Sequence, residues 1–138
     1  MALPKLNDTP KYNVTIPSNG KKVRFRPYLV KEEKVLMMAV ESGDTRAGLE
    51  AIVETISACI QDNIDVSRLT TFDVEYLFTQ IRSKSAGETV HIGLKCKKCD
   101  EMSEVDIPLD DIKIKVPKKD KTIQLNEEIS VELRYPPY

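Results

Sequence analysis

One histidine, three cysteines, five glycines and an apolar run of only six residues leave this chain of 138 residues with few of the usual sources of chemistry. A Ser-His-Asp or Cys-His centre would have to be built on His91, whose alternation with Val90 and Ile92 assigns it to the exposed face of a strand. The glycines are scattered at 20, 43, 48, 87 and 93, so neither a phosphate-cradling loop nor a dinucleotide fingerprint can be written. The longest apolar run, Val35 to Val40, falls far short of the roughly 20 residues that span a bilayer. The first residues, Met1-Ala2-Leu3-Pro4-Lys5-Leu6, lack the apolar core and cleavage site of a secretory signal, so the protein is expected to stay in the cytoplasm of the cell that makes it. An odd number of cysteines in such a chain argues for reduced thiols or a metal site over a disulfide framework. Charge is nearly balanced, 21 Lys and Arg against 22 Asp and Glu, which removes the broad electrostatic footprint of a protein that coats nucleic acid.

What is present is ordinary globular material. Hydrophobic residues make up 41% and charged residues 31%, enough to build one core at this length. Residues 12 to 16 and 22 to 26 alternate on either side of the turn cluster Pro17-Ser18-Asn19-Gly20 and predict a β-hairpin with Val23 and Phe25 on one face. Helical spacing of Val35, Leu36, Ala39 and Val40 predicts a helix from about Val30 to a left-handed stop at Gly43. Asp44 is placed to cap a second helix carrying Leu49, Ile52, Val53, Ile56, Cys59 and Ile60 on one stripe. A third helix starts at Thr70, with its hydroxyl as cap and Asp73 near the positive helix end; Val74, Leu77, Phe78 and Ile81 form its inner face, and Ser83 to Gly87 stop it. From Glu88 the period falls to two, through Val90, Ile92 and Leu94, then Val105 and Ile107, then Ile112, Ile114 and Val116, with two further strands over 121–125 and 129–134. The expected fold is a single α+β domain over 1–138: hairpin, three-helix layer, then a mostly antiparallel sheet containing the Cys96–Cys99 hairpin. The helices are expected to pack on sheet from both ends of the chain, with residues 1–11 and 134–138 as extended arms.

Cys96-Lys97-Lys98-Cys99 is the one motif with a mechanism, because two thiolates across a tight turn can grip one tetrahedral zinc ion. Four ligands are needed. His91 stands about 16 Å up an extended strand from Cys96, and Cys59 falls on the apolar helix stripe. The incomplete set favours an empty hairpin turn and no cofactor, with a ribbon completed by a second subunit or partner as the alternative. Asp110-Asp111 and Glu127-Glu128 are expected at solvated turns, and the lysines at 113, 115, 118, 119 and 121 on a solvated face without aromatics to stack bases.

Several segments carry a resemblance. Ala2-Leu3-Pro4-Lys5-Leu6, the strand containing Tyr12, the run Phe25-Arg26-Pro27-Tyr28-Leu29-Val30 continuing to Leu36, and Ala39 to Asp44 are similar to the baseplate hub assembly proteins of T-even-type contractile-tailed bacteriophages. The Cys96–Cys99 hairpin and Leu133-Arg134-Tyr135-Pro136 are similar too. The resemblance implies a non-enzymatic structural role in assembling the central hub of a tail baseplate, in the cytoplasm of an infected bacterium or in the virion tail. It implies other hub proteins as partners, with no small-molecule substrate and no membrane. Family members continue past the Tyr-Pro segment with largely helical sequence, so a short or truncated version is expected. Leu3, Leu6, Tyr12, Arg24, Arg26, Tyr28, Tyr135 and Tyr138 are the expected partner contacts, as apolar, aromatic and arginine anchors. The competing reading is a small zinc-ribbon adaptor that binds nucleic acid or the transcription machinery.

Overall fold

Alternation over residues 12–25 produces a hairpin with one covered face, and the rest of the core is laid against that face. The computed structural model describes residues 9–115 and 121–138. β1 (Tyr12–Thr15) and β2 (Lys22–Phe25) pair antiparallel, with Val14 opposite Val23 and Tyr12 opposite Phe25. Gly20, at φ 69°, supplies the left-handed residue of the connecting turn. Val14, Ile16, Val23 and Phe25 are buried against Ile56 and Cys59 of α2 (Thr45–Cys59) and Val74, Leu77 and Ile81 of α3 (Thr71–Ala86). Each large aliphatic side chain enclosed in this way contributes about 1.5–3 kcal/mol relative to an exposed position. The segment after α2 extends β2: Arg26 N donates to Cys59 O at 3.0 Å and Gln61 N to Arg24 O at 3.0 Å.

A buried carboxylate ties the hairpin turn to α3. Asp73 is fully enclosed and accepts from Ser18 N at 2.9 Å, from Thr70 Oγ1 at 2.6 Å and from Thr70 N at 3.3 Å. Thr70 is the N-cap residue, as expected, in a capping box with Asp73, to which its hydroxyl also donates. Asp44 caps α2 as expected, accepting from Arg46 N at 2.9 Å.

α1 (Val30–Ser42) ends at Gly43, φ 67°, at the expected stop. Its inward face differs from the expectation. Glu32, Leu36 and Ala39 face inward while Val35 is 43% exposed, and on α2 Leu49 is 44% exposed. The cause is polar: Glu32 is buried, Oε1 accepting from Arg26 Nη2 at 2.9 Å and Oε2 from Leu29 N at 2.7 Å, and this pair sets the rotation of α1. α3 runs to Ala86 and ends at Gly87, inside the expected Ser83 to Gly87 stop.

Beyond Gly87 the strands pair two by two. β3 (Thr89–Lys95) and β4 (Met102–Pro108) form one antiparallel ribbon, and β5 (Thr122–Gln124) and β6 (Ser130–Glu132) another. The α+β order is as expected, but among the described residues the strands form three separate two-stranded sheets, and of these it is the N-terminal hairpin that supplies strands to the buried core of α2 and α3, not sheet from both ends. Residues 112–115 are also not a strand. A short 3-10 turn, Leu109–Asp111, follows Pro108 and buries Leu109, after which Ile112 and Ile114 run on without a ladder partner. Val116 lies outside the described residues.

Candidate functional site

The sharpest chemistry sits at the tip of the β3–β4 ribbon. Cys96 N donates to Glu101 O at 2.9 Å and Asp100 N to Cys96 O at 3.0 Å, closing a tight turn with Asp100 at φ 59°. Asp is one of the residues that tolerates this left-handed region. The Cys96 sulfur accepts from the backbone N–H groups of Lys98, at 3.5 Å, and Cys99, and the Cys99 thiol lies within its hydrogen-bonding reach. These N–H groups, first that of Lys98, hold the Cys96 thiol below its ordinary pKa. Both cysteines are exposed, whereas Cys59 is buried in the core and desolvation pushes its thiol up to about 11. His91 is exposed on β3 opposite Asp106, to which its Nδ1 hydrogen-bonds. Among the described residues no three His, Cys, Asp or Glu side chains are grouped to hold a metal ion, and no helix is long and apolar enough to cross a membrane.

A clamp anchors the ribbon at its other end. Lys84 Nζ contacts Glu88 Oε1 at 2.6 Å and Asp110 Oδ2 at 2.9 Å, while Ser83 Oγ donates to Asp110 Oδ1 at 2.8 Å. Hydrogen bonds to Glu88 and then to Asp110 raise the Lys84 pKa, and those from Lys84 and Ser83 lower that of Asp110. Asp110 lies exposed in the short 3-10 turn, as expected, and its carboxylate is held there by the clamp. Glu127 and Glu128 do sit in the β5–β6 turn, where Asn126 Oδ1 accepts from Glu128 N and Ile129 N.

The second candidate is a surface, not a reactive centre. α1 presents Val30 and Val40, each 79% exposed, together with Met37 and Met38. Between α1 and α3 runs an open groove of about 480 Å³ lined by Tyr28, Leu36, Met37, Val40 and Phe78, with Glu33 and Arg82 at its sides. A further open groove of about 620 Å³ follows Leu49 and Val53 of α2 to Tyr138. The methionines escaped the sequence reading, although the signal was present. Six consecutive apolar residues on a helix pass right round its circumference, so Val35–Val40 cannot all face inward.

The expected partner contacts separate into groups. Arg24 is exposed and pairs with Asp62 at 3.4 Å; Tyr28 is half-buried on the α1–α3 groove. Tyr12 stacks on Phe25 with centroids 5.6 Å apart, and Arg26 is engaged by Glu32, Pro27 O and Ala58 O. The C-terminal arm is seated on its own chain. Tyr138 N donates to Leu69 O at 2.9 Å, Pro137 pairs with Thr70, and Tyr135 meets Phe72 edge-on at 5.1 Å with Lys121 Nζ over its ring. Lys113 and Lys115 are exposed but on no strand. Leu3, Leu6, Lys118 and Lys119 lie outside the described residues.

A family model described as T4 bacteriophage base plate protein matches residues 9–138. No curated protein and no solved structure matches the chain.

Proposed function

The chain belongs to the T4 bacteriophage base plate protein family, and from that premise we propose that it helps to assemble the central hub of the baseplate through protein–protein contacts, without catalysis. The observation that carries this reading is the apolar face of α1. Val30, Met37, Met38 and Val40 stand exposed beside the open α1–α3 groove, and unbranched methionines adapt to the shape of an incoming surface. Tyr28 lines that groove, while Arg24 and Tyr135 keep exposed surface beyond their contacts with Asp62 and Phe72, so these three of the expected contacts still offer area to a partner. The site of action is then the infected bacterial cell, where the hub is built, and the tail that leaves it.

The test is complementation of a phage defective in this protein with Met37→Asp/Val40→Asp. Both side chains are exposed, so the melting temperature should change by no more than a few degrees, while hub intermediates recovered from infected cells should fall at least tenfold. Normal tails from that variant would remove the α1 face from the assembly role. Unchanged hubs with a later block in tail completion would place the protein elsewhere in the baseplate.

A further inference from the structure

We propose that Cys96 and Cys99 form half of a tetrahedral zinc site which a second copy of this chain completes, so that two chains share one metal ion through four thiolates. The turn already holds the two sulfurs within hydrogen-bonding reach, as a zinc ion about 2.3 Å from each of them demands, and backbone N–H groups of Lys98 and Cys99 point at the Cys96 sulfur. Nothing else in the described chain can supply the remaining ligands. Cys59 is enclosed in the core, and His91 is five residues up a regular strand, held by Asp106.

The placement of the tip favours a second copy. β3 and β4 are each seven residues long, about 23 Å of ribbon, and among the described residues their half-buried positions are Val90 and its partner Ile107, near the base. Two tips can therefore meet head to head while the helical bodies stay well apart. A two-fold axis through the metal makes the pairing self-complementary and uses all four sulfurs, leaving no donor unmatched. Charge agrees. Zinc with four thiolates carries a net charge of two minus, and each chain brings exposed Lys97 and Lys98 beside its cysteines, while Lys95 is already paired with Asp100 at 3.0 Å.

The experiment titrates Co²⁺ and then Zn²⁺ into the reduced, metal-free chain while its mass is followed by sedimentation. The expected result is a tetrahedral tetrathiolate cobalt spectrum that saturates at one metal per two chains, with a doubling of mass and displacement by zinc. Cys96→Ser and Cys99→Ser, both at exposed positions, should abolish the spectrum and the dimer without lowering the melting temperature of the metal-free chain. His91→Gln should leave the stoichiometry unchanged. Saturation at one metal per monomer, loss of binding in His91→Gln, or failure to bind cobalt with free thiols verified would each overturn the proposal.

Discussion

The N-terminal hairpin and the β3–β4 ribbon obey the same rule of alternation, yet one is the floor of the core and the other stands open to solvent. In β1 and β2, Val14, Val23 and Phe25 meet apolar stripes from α2 and α3. In β3 and β4, Ile92, Leu94 and Val105 alternate just as regularly and remain exposed, as do Ile123 and Val131 in the β5–β6 ribbon. Alternation thus determines pairing and leaves cover undetermined. The molecule divides into a part that satisfies its own hydrophobic surface and a part that presents it, the division expected of a baseplate component whose neighbours belong to other chains.

Substitutions on the two sides of that division should differ sharply. The largest effect is expected for Ile56→Asp, which loses a fully enclosed side chain and desolvates a carboxyl group, at a cost on the order of 4 kcal/mol or more against a total stability of about 5–15. A cooperative melt within a few degrees of the parent would show that the helices and hairpin do not form one core. Next comes Glu32→Gln, which weakens the inward-facing Arg26 pair by about 1–3 kcal/mol at neutral pH. Burial pushes the Glu32 pKa up, but the Arg26 and Leu29 hydrogen bonds and the Arg26 and Lys31 charges outweigh it and the net shift is downward. A carboxylate depressed in the folded state stabilises above its unfolded value, about 4.3, and loses that contribution as pH falls through the folded value. Denaturant melts of parent and variant should accordingly begin to converge as pH falls below the unfolded value and meet below the folded one; a gap that persists at the acid limit would assign the effect to packing. The smallest effect is expected for Leu94→Ser, within about 0.5 kcal/mol of the parent because the side chain is already in water. A larger loss would mean that the ribbon is covered within its own chain.

The order of elements was legible because local signals agreed with one another: Gly20 in its turn, Gly43 at its stop, Asp44 on its cap and the stripe through Ile56 all act within a few residues. The rotation of α1 was not. It depends on Arg26 and Glu32, a pair whose polar residues read as surface until the last turn of α2 brings Ala58 O to the same guanidinium. Nor could periodicity place Asp73, since its partner Ser18 is 55 residues away. Tyr135 and Tyr138 read as a free arm because proline keeps them out of helix and strand, yet Tyr135 seats on Phe72 of α3, and Tyr138 on Leu69 beside the α2 groove. At the ribbon tip the donors were plain from spacing, and what spacing lacked was the direction of the backbone N–H groups.

The root of the β3–β4 ribbon also has a mechanical meaning. Both strands return to the same end of α3, β3 through Gly87 and Glu88 and β4 through Leu109 and Asp110, where Leu109 N donates to Glu88 O at 2.7 Å. A pull on the tip, directed along the ribbon, stretches the two strands side by side and leaves the hydrogen bonds between them at right angles to the tension. The ladder is therefore spared, and the force arrives at Lys84, Glu88 and Asp110, whose ion pairs weaken as salt rises. A load along the ribbon is thus shared between the main chain that leads β3 into α3 and the ion pair that holds Asp110, beyond β4, to Lys84 of α3.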